Sequence, residues 1–412
     1  MRARHAISRF RQAGLSLVEL MVALLVSSFL LIGLVQIFGT TKAAFITTDA
    51  LSRVQENARF ALEFMRRDAR MVGHMGCVNE ISHFLSSPPT FSSHLITPAT
   101  AFGNASFPFR FDVPIQGFEY TGTARNDNYT IPSATPAAVA DVTQWNPVVP
   151  AGATGLAPSL IGRAVPGSDI LVLRFFSEDS VPLATPFTNH AAQQVSVNTG
   201  RLPAGFVESG GIYAVADCDH ASLFQATSAL VGATFAAALE TPAAPQDGDN
   251  ARNWATDQQF GTGATLHRGE SMVYFVGVNA AGQPALFRLR LAASSADAAA
   301  YVPEELVEGV ENMQIFYGVD TTTSRDDAVD QYANANQVNL LDPDGAGPLA
   351  APAWARVISL RISLLIRSPD QANSTLNTAR DLGGVNVTPQ TDGRLRQIYE
   401  TDVALRNRLR GA

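Results

Sequence analysis

Residues 15–38 form a run of 24 with a single charge, Glu19. An uncharged stretch of that length is long enough to cross a bilayer as a helix. In lipid the helix is the conformation open to it, because each backbone N–H and C=O must find its partner within the segment. The residues ahead of it, 1–14, are short and basic, with Arg2, Arg4, Arg9 and Arg11 and no acid. A carboxylate inside an apolar span is expensive to bury, so Glu19 is a functional candidate on cost alone. It stands five positions after Gly14, in the string AGLSLVEL.

The helical pattern continues past Phe38 and changes character. Between residues 42 and 72, Val54, Ala58, Ala61, Leu62, Met65, Ala69 and Val72 recur at spacings of three and four, which places them on one helix face. Arg53, Glu56, Arg59, Glu63, Arg66, Arg67 and Asp68 fill most of the remainder. Asp49 with Arg53, and Glu63 with Arg67, are i,i+4 pairs in the favourable order. Gly73 and Gly76 are stop signals. The spacing therefore predicts one rod over about 16–72, roughly 85 Å long at 1.5 Å per residue. Its first half is apolar all round, and its second half has one stripe to cover with a globular domain. Gly33 and Gly39 mark points where the rod bends or melts most easily.

After Cys77 the composition shifts to Ser, Thr, Pro, Ala and Gly, and the helical period disappears. Residues 86–160 are rich in loop formers and show few convincing elements, but Tyr120, Trp145 and several Phe spread through them read as a decorated β region rather than disorder. Clear strand patterns follow at 169–176 (DILVLRFF) and 211–218 (GIYAVADC). The segments 271–278 and 285–291 flank the turn sequence NAAGQ and read as a hairpin. Residues 237–268 read as a long loop. In 357–367, Ile358, Leu360, Ile362, Leu364 and Ile366 alternate with Ser359, Arg361, Ser363, Leu365 and Arg367, a strand with one buried face. Residues 307–319 read as a short helix or turn entering a strand, and 397–405 as a last strand.

With 46% hydrophobic residues the chain has material for a proper core. The formal charge is −8, and becomes −12 once the four arginines of residues 1–14 are left out. That balance argues against nucleic acid as a partner, since phosphate binding needs clustered Lys and Arg.

The placement of a small pair, Ala13-Gly14, between the basic and apolar segments differs from a secretory signal, in which cleavage removes the apolar part as well. It resembles the type IV prepilin signal, shared by pilins and by the pseudopilins of type II secretion. The segments NARFALEFMRRDARMVGHMGC, GVENMQIFYGVD, WARVISLRISLLIRS and TDVALRNRLR are similar to the PilW family of minor pilins. The resemblance is strong at the two ends and carries no motif over about 86–270. It implies an α+β fold, in which a long N-terminal helix, membrane-spanning and then amphipathic, packs on a large antiparallel β-rich domain. It further implies a leader, 1–14, cut after Gly14 by a prepilin peptidase, with methylation of the new N-terminus at Leu15. The family usually has Phe at that position. The expected layout is a helix over 15–75, with its transmembrane part at 15–38, and a globular domain over 76–412 that divides into a loop-rich part, 76–270, and a sheet core, 271–412.

The same resemblance assigns a non-enzymatic role: a minor pilin that helps initiate and cap a type IV pilus in a priming or tip complex. Its partners are other minor pilins, the major pilin and a tip adhesin. The location is the inner membrane, with the globular domain periplasmic, and then the pilus or cell surface. A minor pseudopilin of type II secretion is the alternative with the same anchor. A membrane-anchored periplasmic enzyme or binding protein is the alternative from another class. Glu19 is expected to pair with the N-terminal amine of a neighbouring subunit, or else only with its own.

In an oxidising compartment Cys77 and Cys218 most simply form one disulfide, closing a loop of about 140 residues. Two free buried thiols are the alternative, and no CxxC spacing points to a metal. Asp320, Asp326, Asp327 and Asp330 lack the alternating acids and distal Glu of a calcium loop, and read as a solvated loop. Asp217, Asp219 and His220 read as a surface turn beside Cys218. No cofactor, metal site or catalytic constellation is expected.

Overall fold

The computed structural model describes residues 14, 16–77, 91–95, 104–133, 136–151, 155–187, 194–237, 259–295, 298–322, 326–341, 354–372, 374 and 378–408. The basic leader up to Ala13, Leu15, and most of the long loop expected at 237–268 lie outside them. The chain is α+β: a long apolar N-terminal helix and a large β-rich domain.

Helix α1 (Leu17–Met71) is a single 55-residue element, about 82 Å at 1.5 Å per residue. Its first buried residue is Ala50. From there Ala50, Val54, Ala58, Ala61, Met65, Asp68 and Ala69 are buried. Four of these seven are alanines, whose short side chains let the helix axis sit close to the strands beneath. Gly73 (φ +77°) and Gly76 (φ +80°) then turn the chain back into the head. A side chain at Gly76 would lie 2.7 Å from Ala216 Cβ, so this turn needs glycine for space as well as for backbone angle.

Strands are numbered in chain order. The larger sheet has nine: β1 (Phe91–Ser93), β2 (Ile115–Tyr120), β4 (Trp145–Asn146), β5 (Ile170–Pro182), β7 (Ile212–Ala216), β8 (Ala221–Gln225), β10 (Thr265–Val278), β11 (Pro284–Ser295) and β12 (Ala298–Glu308). Strand β10 pairs with β5 along one flank. Along the other it pairs with β7 over residues 265–268 and with β11 over 272–278, so the sheet forks. A second sheet has the order β14-β13-β15-β18, from β13 (Val310–Val319), β14 (Gln331–Ala333), β15 (Val357–Gln371) and β18 (Arg394–Ala404). Smaller ladders join β3 (Asn128–Thr130), β16 (Arg380–Leu382) and β17 (Val385–Thr388), and join β6 (Gln194–Ser196) to β9 (Thr234–Ala236). There are two short helices, α2 (Ala157–Leu160) and α3 (Ala335–Leu340), and α3 packs on β2, β13 and β14. Helix α1 packs on strands of both large sheets, β5 and β12 in one and β15 and β18 in the other. The main core joins Val54, Ala61 and Met65 to Leu173, Tyr274, Ile315, Leu360 and Ile362.

Several expectations are corrected. Strand β15 is buried on both faces: Leu360, Ile362 and Leu364 meet the helix-side core, while Leu365 packs with Phe316, Leu382, Val385 and Val387. A third layer, the β3-β16-β17 ladder, covers the face that alternation alone left open to solvent. Residues 307–319 contain no helix; β12 and β13 run almost end to end, joined at Gly309. The stretch 86–160 is the decorated β region that its aromatic residues suggested: it holds β2, buried except at Tyr120, and β4, whose Trp145 is completely buried. Strand β10 begins inside the segment read as loop, at Thr265. It also runs through residues 270 and 271, so its sheet draws strands from both sides of that position.

Candidate functional site

The exposed half of α1 is the part of the molecule whose chemistry the head does not use. From Leu17 to Phe38 its apolar side chains are all solvent-facing in the isolated chain, and this is a helix long and apolar enough to cross a membrane. The hydroxyls of Ser28, Thr40, Thr47 and Thr48 donate to carbonyls one turn back, at 2.7–3.1 Å, so the helix carries few unsatisfied polar groups.

Its start is a capping box. Ser16 Oγ accepts the Glu19 N–H at 3.2 Å, and Glu19 Oε2 accepts the Ser16 N–H at 3.0 Å. The carboxylate therefore sits against the positive end of its own helix dipole. It remains exposed, with lone pairs available to a second donor. Gly14 precedes this cap, and a side chain there would meet nothing within 4 Å. The packing of this chain therefore does not ask for glycine at that position. Leu15 lies outside the described residues.

The other half of α1 is fastened by polar ties as well as by packing. Asp68, which periodicity assigns to the charged face, is instead buried. It accepts from Tyr274 Oη at 2.5 Å and from Arg288 Nη1 at 3.1 Å, and Arg288 also binds Glu304 at 2.7 Å. Asn57 donates to the Glu308 carbonyl, and Asn407 to that of Arg70. Of the two expected i,i+4 pairs, Asp49–Arg53 closes at 2.9 Å. Just past the helix, a disulfide joins Cys77 to Cys218, in the turn between β7 and β8, with Cα atoms 4.6 Å apart. Beside it His74 and His267 lie edge to face and bind the carbonyls of Phe176 and Ser177 at 2.9 Å. Burial pushes the His267 imidazole below its ordinary value.

The acidic loop is solvated at Asp326 and Asp330, as expected, but not at Asp320. Asp320 is fully buried and accepts from the Thr322 N–H and Oγ1 and the Asp327 N–H, at 2.7–3.0 Å. Burial pushes its carboxyl up, but these donors outweigh it and hold the group below its usual value. Its lone pairs organise the loop. Asp217, Asp219 and His220 bring one ligand atom each within 4.8 Å of one another. Asp217 Oδ1 already accepts the N–H groups of Asp219 and His220, as in a surface turn.

Two further clusters escaped the sequence reading. Glu311 holds Arg396 through two bonds, at 2.7 and 2.9 Å, and Arg367 at 3.3 Å, with Asp392 completing the set on Arg396. Glu119 and Asp169 are buried where β2 and β5 meet β13. Apart from Asp392 and Arg396, four residues apart, their partners arrive from 49 to 215 residues away, and no local spacing signals such pairs.

Residues 273–407 match the model of the PilW family, described as type IV pilus-assembly protein W, and residues 9–35 match the prokaryotic N-terminal methylation motif. The first match spans the whole second sheet with β11 and β12; the second contains Gly14, Ser16 and Glu19. No curated protein and no solved structure matches the chain.

Proposed function

We propose, for a chain that belongs to the PilW family of type IV pilins, the role of a minor pilin that helps initiate and cap pilus assembly within a priming or tip complex. The observation that carries this reading is the division of α1. Residues from Ala50 onward are committed to the head, whereas the apolar half before it has no partner in its own chain. An apolar helix that its own domain leaves uncovered is suited to lipid first and to a bundle of like helices afterwards. The same surface serves both states, so a subunit can leave the membrane for a fibre without refolding.

In this reading residues 1–14 are a leader removed after Gly14 by a prepilin peptidase, and Leu15 becomes the methylated N-terminus. Residues 15–38 anchor the chain in the inner membrane, with the head, 76–412, on the periplasmic side until it reaches the pilus. The partners are other minor pilins and the major pilin, with a tip adhesin borne by the complex. Glu19 then has two competing uses. Within one subunit it caps its own helix; between subunits it takes the amine of a neighbour, and a desolvated amine–carboxylate contact sets the register of the two helices.

The test combines processing and partnership. Intact mass of protein from the envelope should lack the first fourteen residues and carry one added methyl, and a pull-down should recover pilus components. Retention of residues 1–14 in wild-type envelopes would sink the reading; recovery of type II secretion components instead would move the chain to that machine.

A further inference from the structure

Two carboxyl groups are buried close together where the large sheets meet, and neither the anchor nor the disulfide uses them. Glu119, near the end of β2, and Asp169, just before β5, both belong to the nine-stranded sheet. Their strongest bonds leave it. Asp169 Oδ2 accepts the Ile315 N–H of β13 at 2.8 Å, while Oδ1 accepts the Tyr120 N–H at 3.3 Å. Glu119 Oε1 accepts from Asn334 Nδ2 at 2.7 Å, and Glu119 also takes the backbone N–H of Asn336. Asn334 is the N-cap of α3, in a capping box with Gln337. The pair thus ties β2 both to β13 and to the helix that follows β14.

Among the described residues, none supplies a counter-charge. Tyr317 of β13 comes down on Gly117, two residues before Glu119, so closely that a side chain at 117 would overlap its hydroxyl. That hydroxyl is buried and has no hydrogen-bond partner. Asp127, ahead of the third layer, adds a further negative charge near Glu119. Tyr120 stands edge to face with Tyr129 of β3. Among the described residues, the ionisable groups acting on the two carboxyls are themselves acids.

We propose that Glu119 and Asp169 form a proton-held latch: while the pair keeps a proton the seam between β2, β13 and α3 stays closed, and loss of that proton to solvent opens the seam with the rest of the head intact. Two ionised carboxylates in a dry seam repel each other, with no cation to offset the repulsion. Burial drives both groups up, Glu119 to about 7 and Asp169 well above its ordinary range, with the charge of Glu119 adding to the second shift. A raised acid favours the closed state fully below its ordinary value, here 4.5, and that advantage is lost as pH rises through about 7. The difference between those two values corresponds to a change of up to roughly 300-fold in the opening equilibrium. The latch would make the α3 side of the head respond to pH around neutrality.

Hydrogen exchange by mass spectrometry on the full chain in detergent micelles tests this, at pH 5.5, 7 and 8.5, with rates corrected for intrinsic exchange. Peptides covering 115–120, 310–319 and 335–340 should lose protection by roughly thirty-fold between pH 5.5 and 8.5, while those of β10 and β15 keep theirs. Glu119→Gln, which cannot ionise, should retain protection at pH 8.5. Asp169→Asn removes the repelling neighbour and should flatten the same profile, so either variant decides if the other fails to fold. Protection independent of pH in wild type, an equal loss across the whole head, or a wild-type profile in the variants would each overturn the latch.

Discussion

Glu19 and Glu311 carry the same charge in opposite surroundings, and the contrast shows what single residues do here. Glu311 is buried under Arg396 and Arg367, with its charge matched by geometry. Glu311→Ala would leave two buried guanidiniums short of a carboxylate, and the loss should be about 3–5 kcal/mol. Chemical denaturation of the purified chain reads this directly. Glu19 touches nothing in the head, so Glu19→Ala should leave the melting of the head unchanged. It should instead reduce subunit crosslinking in membranes and the amount of protein in the sheared fibre fraction. Wild-type values of both would show that the carboxylate is not an assembly contact. Glu19 was legible in the sequence because a charge in an apolar run stands out against its immediate neighbours. Asp68 and Glu311 were not legible, because Tyr274, Arg288, Arg367 and Arg396 reach them only through the fold.

At the scale of elements, α1 and β15 were read with different success for one reason. A helix stripe announces its buried face by period, and the alanines and Val54 on that stripe are the residues found buried. Ala61 is completely enclosed between helix and sheet, so Ala61→Leu should cost about 1–3 kcal/mol through overpacking. The same change at Ala44, on the uncovered part of the helix, should stay within about 0.5 kcal/mol in a melting experiment on the head. Strand β15 also announced one face, and Ile362→Ala there should cost about 2–5 kcal/mol. Its second face was read as solvent-exposed. Alternating Ser, Arg and Leu looks the same whether water or a third layer lies above it. Only the return of β16 and β17 decides between them.

The whole molecule has two global constraints. The disulfide closes a loop with a separation of 141 residues, and ties the end of the helix to the β7–β8 turn. By the loop-entropy model, replacing both cysteines with serine should cost up to about 5 kcal/mol, seen as a lowered midpoint in non-reducing denaturation. The second constraint is charge. In Asp392 burial raises the carboxyl, but the bonds and charge of Arg396 outweigh it and hold the group below its ordinary 3.8. A depressed acid contributes stability that is present above that value and lost as pH falls below it. Glu119 acts in the opposite sense, losing its contribution between 4.5 and about 7. His267, held below its ordinary value by burial, adds stability as pH rises toward neutrality and opposes Glu119 there. Glu119→Gln should therefore keep its denaturation midpoint between pH 5 and 9 better than wild type, and an equal pH profile in both would contradict this.

Sequence alone determined the features whose information is local. The anchor, its lone acid, the amphipathic continuation, the glycine stop and the hairpin at 271–291 rest on periods and neighbours within a few residues. The two cysteines allowed one simple pairing. Tertiary structure alone decided which charged residues lie inside, where the sheet forks, that β15 is covered twice, and that Glu119 and Asp169 share a seam. The physical reason is that burial of a polar group is set by the partner that meets it. Such partners here come from strands tens to hundreds of residues apart, whose approach no local pattern records.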